Sequence, residues 1–321
     1  MKHNLSPEQL NVLKLSQNVI NEIEKVIIGK KEIIVKVLLA ILSGGHVLIE
    51  DIPGVGKTTF AIALSKALSL DYKRLQFTPD VLPSDITGFS IYNRETHQFE
   101  YKPGAALTNL FLADEINRTS SKTQSALLEV MEEGKVTVDG KVYKMPDPYI
   151  VIATQNPIGS VGTQMLPESQ MDRFIIRLTM GYPNLESEIN MLKSKHSLIN
   201  MEYVKSVVTA QELIIAKREI EKIFVSDVMF EYIAKLSAAT RNHPFIKLGL
   251  SPRGTIALLK MSKATALLKG RSFVIPDDVQ YCFNDVLMHR IIFSSKSKIN
   301  NITGEDILKD IISSVPVPRV N

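Results

Sequence analysis

The residues of this 321-residue chain best suited to chemistry fall at the ends of three apolar runs. EDIPGVGKTT, Glu50 to Thr59, follows HVLI and places two glycines, a lysine and two threonines before a helix-like segment. Backbone N–H groups and a helix N-terminus in such a turn point at an anion. Lys57 would then reach the β and γ phosphates of a nucleotide, and the Thr58 hydroxyl would ligate Mg²⁺. Gly54 and Gly56 let the backbone curl without a Cβ. The usual phosphate loop begins with glycine, whereas this one has Asp51, and an ordinary glycine turn capped by a threonine is the competing reading.

A nucleotide site of this kind calls for a second strand that ends in acid, and NLFLADEIN supplies Asp114 and Glu115. Buried carboxylates need compensation, which Mg²⁺ held through water by Asp114 would give. Glu115 is placed to polarise the attacking water as general base. A third run ends in ATQNP, where Asn156 reads as a water-positioning group if the three strands are neighbours, or as a turn former before Pro157.

These groups need a scaffold, and the first 180 residues alternate between strand-like and helix-like segments. HVLIE, YKRLQF, NLFLADE, YIVIATQN and RFIIRLTM are five buried-strand candidates interleaved with helices, which predicts a parallel sheet covered on both faces. Ser6 and Pro7 open an amphipathic helix, and KEIIVKVLLAIL forms a second one ended by Gly44 and Gly45. GFSIYNRETHQFEYKPG and KVTVDGKVYKM read as hairpins inserted on the shared sheet, the second turning at Asp139-Gly140. From Tyr182 onward only helical stretches follow, including LESEINMLKSKH and SPRGTIALLKMSKATALLKG. GYPN, Gly181 to Asn184, marks a boundary between residues 1–181 and an all-α domain of residues 182–321.

Composition excludes several classes. A hydrophobic share of 45% with 22% charged residues fits a globular chain, and the longest apolar stretch, IIVKVLLAIL, is too short for a bilayer. The N-terminus lacks a signal-peptide core, so the cytoplasm is expected. Cys282 is the single cysteine and reads as a buried residue, and the six histidines show no metal-ligand spacing. Residues 1–181 carry 19 Lys and Arg against 20 Asp and Glu, and residues 182–321 carry 19 against 14. That modest excess, without a basic and aromatic run, argues against nucleic acid.

Taken together, EDIPGVGKTT, FLADEINR, ATQNP, MLPESQMDRF and GLSPRG resemble the MoxR family of AAA+ ATPases over nearly the whole chain. The family's own loop reads EDxPGxGKT, so Asp51 is expected there, with its carboxylate accepting local backbone N–H bonds. The resemblance implies an α/β fold: an αβα P-loop core with a five-stranded parallel sheet, and a helical lid. It also implies a ring, commonly a hexamer, with ATP and Mg²⁺ at subunit interfaces. Pro53, Gly54, Val55, Gly56, Lys57, Thr58, Thr59 and Asp114 match the nucleotide contacts, and Thr58 and Asp114 the Mg²⁺ side. Ile28 and Gly29 match the adenine-side segment, Glu115 the general base and Asn156 the first sensor. Arg173 matches an arginine finger acting on a neighbour's ATP, with Arg118 as the other candidate, and Arg253 matches the second sensor. Independently of the family, Ser251 and Pro252 start a helix that projects Arg253 from its first turn. The hairpins resemble inserts that contact substrates or partners in this branch. The implied activity is chaperone-like remodelling with a partner carrying a von Willebrand factor A domain. A nucleic-acid motor is the rival reading, and a non-hydrolysing switch is disfavoured by Glu115.

Overall fold

The computed structural model of the chain describes residues 5–52, 54–156, 166–183, 185, 186, 188, 189 and 201–319. Ser6 caps α1 (Pro7–Glu24) through a reciprocal capping box with Gln9. Next come α2 (Lys31–Leu42), α3 (Lys57–Ala67), α4 (Pro83–Thr87), α5 (Ser121–Glu133) and α6 (Glu168–Met171). Between them run β1 (His46–Glu50), β2 (Tyr72–Gln76), β3 (Phe89–Asn93), β4 (Gln98–Lys102) and β5 (Leu110–Asp114). The strands continue with β6 (Lys135–Val138), β7 (Lys141–Lys144), β8 (Ile150–Gln155) and β9 (Phe174–Leu178).

All five expected strands pair in parallel in the order β2-β5-β8-β1-β9. The apolar runs are continuous because successive side chains enter different cores. Val47, Ile49, Leu112 and Ile152 join the layer of α1, α2 and α3, whereas Leu48, Phe111, Val151 and Ala153 pack towards α5. Gly45, just ahead of β1, is required by proximity, since a Cβ there would lie 2.4 Å from Ile175.

Each hairpin forms a two-stranded sheet of its own, β3 with β4 and β6 with β7, so neither joins the shared sheet as expected. They are tied to each other by Tyr101 and Tyr143, stacked at 3.8 Å between ring centroids. The turn at Asp139-Gly140 has positive φ at both residues, 49° and 76°, as a two-residue hairpin loop demands.

The C-terminal part consists of α7 (Ala210–Glu221), α8 (Asp227–Asn242), α9 (Pro252–Leu268), α10 (Pro276–Leu287), α11 (Ser295–Ile299) and α12 (Gly304–Ser314). The expected helix over LESEINMLKSKH lies largely outside the described residues. The lid is helical but not wholly so. β10 (Ile246–Leu248) pairs antiparallel with β11 (Ile292–Phe293), and Phe224 bridges Phe273. Segments of two and three residues are too short to show a period of two. Cys282 is buried, and burial pushes its thiol up to about 12.

His46 at the start of β1 is half-buried, with its ring held between β8 and α5. Its Nδ1 accepts the Val151 N–H at 3.0 Å, which leaves Nε2 to donate to the Met131 carbonyl at 3.1 Å. Burial lowers its pKa to about 4, with the Met131 bond opposing. The unfolded chain takes up this proton near pH 6.5, so the contribution to stability is complete above that value and is lost as pH falls towards 4. Buried His289, held neutral for the same reason, adds to the loss. The urea-unfolding free energy should therefore be lower at pH 5 than at pH 7.5 by about 2 kcal/mol from His46 alone. Equal values at the two pH values would contradict this.

Candidate functional site

Because β5, β8 and β1 are adjacent and parallel, their carboxyl ends open on one edge of the sheet. The phosphate loop, the acidic pair and Asn156 are thereby brought together. The Asp51 N–H donates to the Gln155 carbonyl at 3.1 Å, setting the loop beside Asn156. The Asp51 carboxylate accepts the Ile52 N–H at 2.8 Å, the local bond expected, and also the Gly181 N–H at 2.6 Å, just past the end of the neighbouring strand β9. Pro53 lies outside the described residues. Gly54 and Gly56 have φ of 87° and 92° with nothing near a Cβ, so conformation and not space demands glycine. Gly56 is the N-cap of α3, whose first turn holds Lys57, Thr58 and Thr59, while Val55 packs against the core. The leading N–H groups of this helix have no intrahelical acceptor.

Lys57 is buried, and its Nζ donates to the Asp51 carbonyl at 2.7 Å. Burial lowers its pKa, with Asp114, Asp51 and Glu115 opposing. Ile28 and Gly29 precede α2 close to the loop, because Lys30 Nζ donates to the carbonyls of Met180 and Tyr182 at 2.6 and 2.7 Å, on either side of Gly181.

Asp114 is compensated by protein groups that the sequence reading did not include. Arg74 on β2 donates to its Oδ2 through Nη2 at 2.7 Å and Nε at 3.1 Å, and Thr154 donates to Oδ1 at 2.6 Å. Glu115 sits in the left-handed region, with φ 59° and ψ 48°, a conformation uncommon outside glycine and typical of functional sites. Its N–H is fixed by Thr154 Oγ1 at 2.8 Å. Asn156 Nδ2 donates to Glu115 Oε1 at 2.9 Å, and Arg118 Nη1 to Oε2 at 2.8 Å. Burial works to raise the Glu115 pKa, but the Arg118 and Asn156 bonds outweigh it and hold the carboxyl below its ordinary value. The Asn117 side chain donates through Nδ2 to the Asn156 carbonyl at 3.1 Å and accepts the Asn156 N–H through Oδ1 at 3.3 Å, which locks the two strand ends together. Asn156 Oδ1 is buried with no hydrogen-bond partner among the described residues. This donor set fits a magnesium nucleotide: a lysine, a hydroxyl, two carboxylates and an amide around a helix N-terminus.

Arg173 and Arg253 lie elsewhere. Arg173 directly precedes β9, and Phe174 pairs with His46, so it stands at the amino ends of the strands. The phosphate loop follows the carboxyl end of β1, whose 5 residues separate the two levels by roughly 15 Å. Arg173 Nη1 donates to the Leu128 carbonyl at 2.7 Å and contacts Glu132 Oε2 at 2.6 Å, while Arg253 Nη2 contacts Glu132 Oε1. Ser251 caps α9 as expected, and its hydroxyl also donates to Asp172 Oδ2 at 2.9 Å. Buried Arg290 binds Asp172 Oδ1 at 2.7 Å and the carbonyls of Phe174 and Ile175. The lid is thus fastened to the entry of β9, and the two arginines share a cleft of about 290 Å³.

A parallel sheet that gathers its polar strand ends on one edge and carries a helical lid is the arrangement of AAA+ ATPases. Residues 46–176 match the model of the ATPase family associated with various cellular activities (AAA), and residues 238–311 match that of the AAA lid domain. The chain is 34% identical to Chaperone MoxR1 of Mycobacterium tuberculosis over 95% of its own length and 83% of that protein's. It is 48% identical to the uncharacterized protein YeaC of Bacillus subtilis over 93% of each chain. A crystal structure from Cytophaga hutchinsonii superposes with a TM-score of 0.90 at 37% identity, covering 97% of both chains. The chain belongs to the MoxR family of AAA+ ATPases.

Proposed function

We propose that the protein hydrolyses Mg-ATP at interfaces between copies of itself in a ring, most simply a hexamer, and uses the cycle to remodel or mature a partner protein complex. The observation that carries this reading is the separation of Arg173 and Arg253 from Lys57 across the sheet. One subunit cannot bring these arginines to its own phosphate loop, whereas a neighbour docked head-to-tail can. The division follows the boundary near Gly181, with residues 1–181 as the nucleotide core and 182–321 as the lid.

Within a subunit, Gly54 to Thr59 cradle the phosphates, Lys57 neutralises them, and Ile28 and Gly29 line the adenine side. Mg²⁺, when bound by Thr58 and by Asp114 through water, neutralises charge on the phosphate oxygens. Glu115 accepts the proton of the attacking water, and Asn156 orients that carboxylate and, through Oδ1, the water. Arg173 acts as the finger and Arg253 as the second sensor on the adjacent subunit's nucleotide. Arg118 engages Glu115 of its own subunit, which favours Arg173 for the finger.

Chaperone activity is supported by the MoxR1 relative and by exposed Phe89, Tyr92 and Phe99 on the first hairpin, an apolar surface suited to a protein partner. The partner class follows from the family resemblance, a protein with a von Willebrand factor A domain. The hairpin's Arg94 and Lys102 are balanced by Glu95 and Glu100, which disfavours a phosphate backbone. No helix among the described residues is long and apolar enough to cross a membrane, and we place the machine in the cytoplasm. The test is ATPase activity against protein concentration, with native mass and added single- or double-stranded DNA. Turnover per subunit should rise as rings form and ignore DNA. Saturable stimulation by DNA would favour a nucleic-acid motor instead.

A further inference from the structure

We infer that Glu132 is a placeholder for the neighbouring subunit's terminal phosphate, keeping Arg173 and Arg253 engaged until two copies meet. This rests on the interface reading proposed above. Each oxygen of the Glu132 carboxylate contacts a different guanidinium, one from the entry of β9 and one from the first turn of α9. The arginine backbones are held independently of it. Asp172, beside Arg173, is fixed by Arg290, and Ser251, two residues before Arg253, by Asp172. The Glu132 side chain, by contrast, is exposed on the last turn of α5 and can swing away.

Its position is poor for the helix. A carboxylate at a helix C-terminus is repelled by the macrodipole, and this last turn also carries Glu133 and no basic residue. Two guanidiniums on one carboxylate leave a net positive charge, with Lys260 lining the same cleft and Asp172 already bound to Arg290. A phosphoryl group brings more negative charge and three acceptor oxygens, so it would displace the single carboxylate. Glu132 therefore holds the pair of arginines at a spacing that spans one small anion, and competes weakly with assembly.

The experiment compares the parent protein with Glu132→Gln, Arg173→Ala and the double variant, reading ATPase turnover and Mg-ATP-dependent native mass against protein concentration. Removing the competing charge should lower the concentration at half-maximal turnover by roughly two- to tenfold, the range of two exposed ion pairs. Turnover at saturation should stay within about twofold of the parent. In the Arg173→Ala background the shift in assembly should shrink, because half of the competition is gone. An unchanged or raised midpoint, or a large loss of turnover in Glu132→Gln, would overturn the placeholder and leave the interface reading standing. Turnover per subunit independent of concentration, with Arg173→Ala fully active, would remove the interface reading itself.

Discussion

Glu115→Gln is expected to bind ATP as the parent does and to lose turnover by about 10² to 10⁴-fold, the usual contribution of a positioned general base. The phosphate contacts lie on the loop after β1, so binding does not need this carboxylate. Hydrolysis does, because the neutral amide cannot accept the proton of water. Glu115 is aimed by three fixed points: its N–H on Thr154, one oxygen on Asn156 and the other on Arg118. Its lowered pKa keeps the group ionised throughout the neutral range, so any acid limb that it imposes on turnover falls below pH 4.5. Equilibrium binding of a fluorescent ATP analogue and steady-state phosphate release separate the two effects. Normal hydrolysis by Glu115→Gln would remove the general-base role.

Arg173→Ala is expected to form rings and bind nucleotide, yet hydrolyse it about 10³-fold or more slowly, the effect of losing an arginine finger. The fold should survive, since Arg173 is half-exposed and the lid is fastened to this corner by Arg290, Asp172 and Ser251 without it. What disappears is a positive charge at the strand ends opposite the subunit's own phosphate loop, held by Glu132 and the Leu128 carbonyl in the isolated chain. Native mass and phosphate release on one preparation measure both halves of the expectation, and rings with full activity would exclude Arg173 as the finger.

The sequence makes the nucleotide edge legible because its information is local. Gly54 to Thr59 is a contiguous loop, Asp114 and Glu115 end one apolar run, and Asp139-Gly140 has the φ preferences of a hairpin turn. The interleaved helices and the family likeness point to a parallel five-stranded sheet, but the order that places the three ends side by side enters the sequence reading only as a condition and is supplied by the fold. The rest depends on register. Arg74 looks like any charged residue inside YKRLQF, and only the pairing of β2 with β5 brings it to Asp114. Thr154 faces Asp114 for the same reason, through the β5 and β8 pairing. Asp51 invites a local partner, and its second one, Gly181, is 130 residues away because β9 lies beside β1. Glu132 carries no motif; its role emerges only when α5, the entry of β9 and the lid helix α9 meet in space. The β10 and β11 pairing was likewise too short to register as a pattern.

The claim that each site is completed by a neighbour is tested most directly by mixing two inactive variants. Lys57→Ala retains both arginines but lacks the phosphate lysine, whereas Arg173→Ala retains the loop but lacks the finger. Combined in equal amounts and allowed to exchange, about a quarter of randomly formed interfaces would pair an intact loop with an intact finger. Phosphate release should then recover to about that fraction of the parent's rate. Mixed rings that form, as judged by native mass, and remain as inactive as either variant alone would contradict the account.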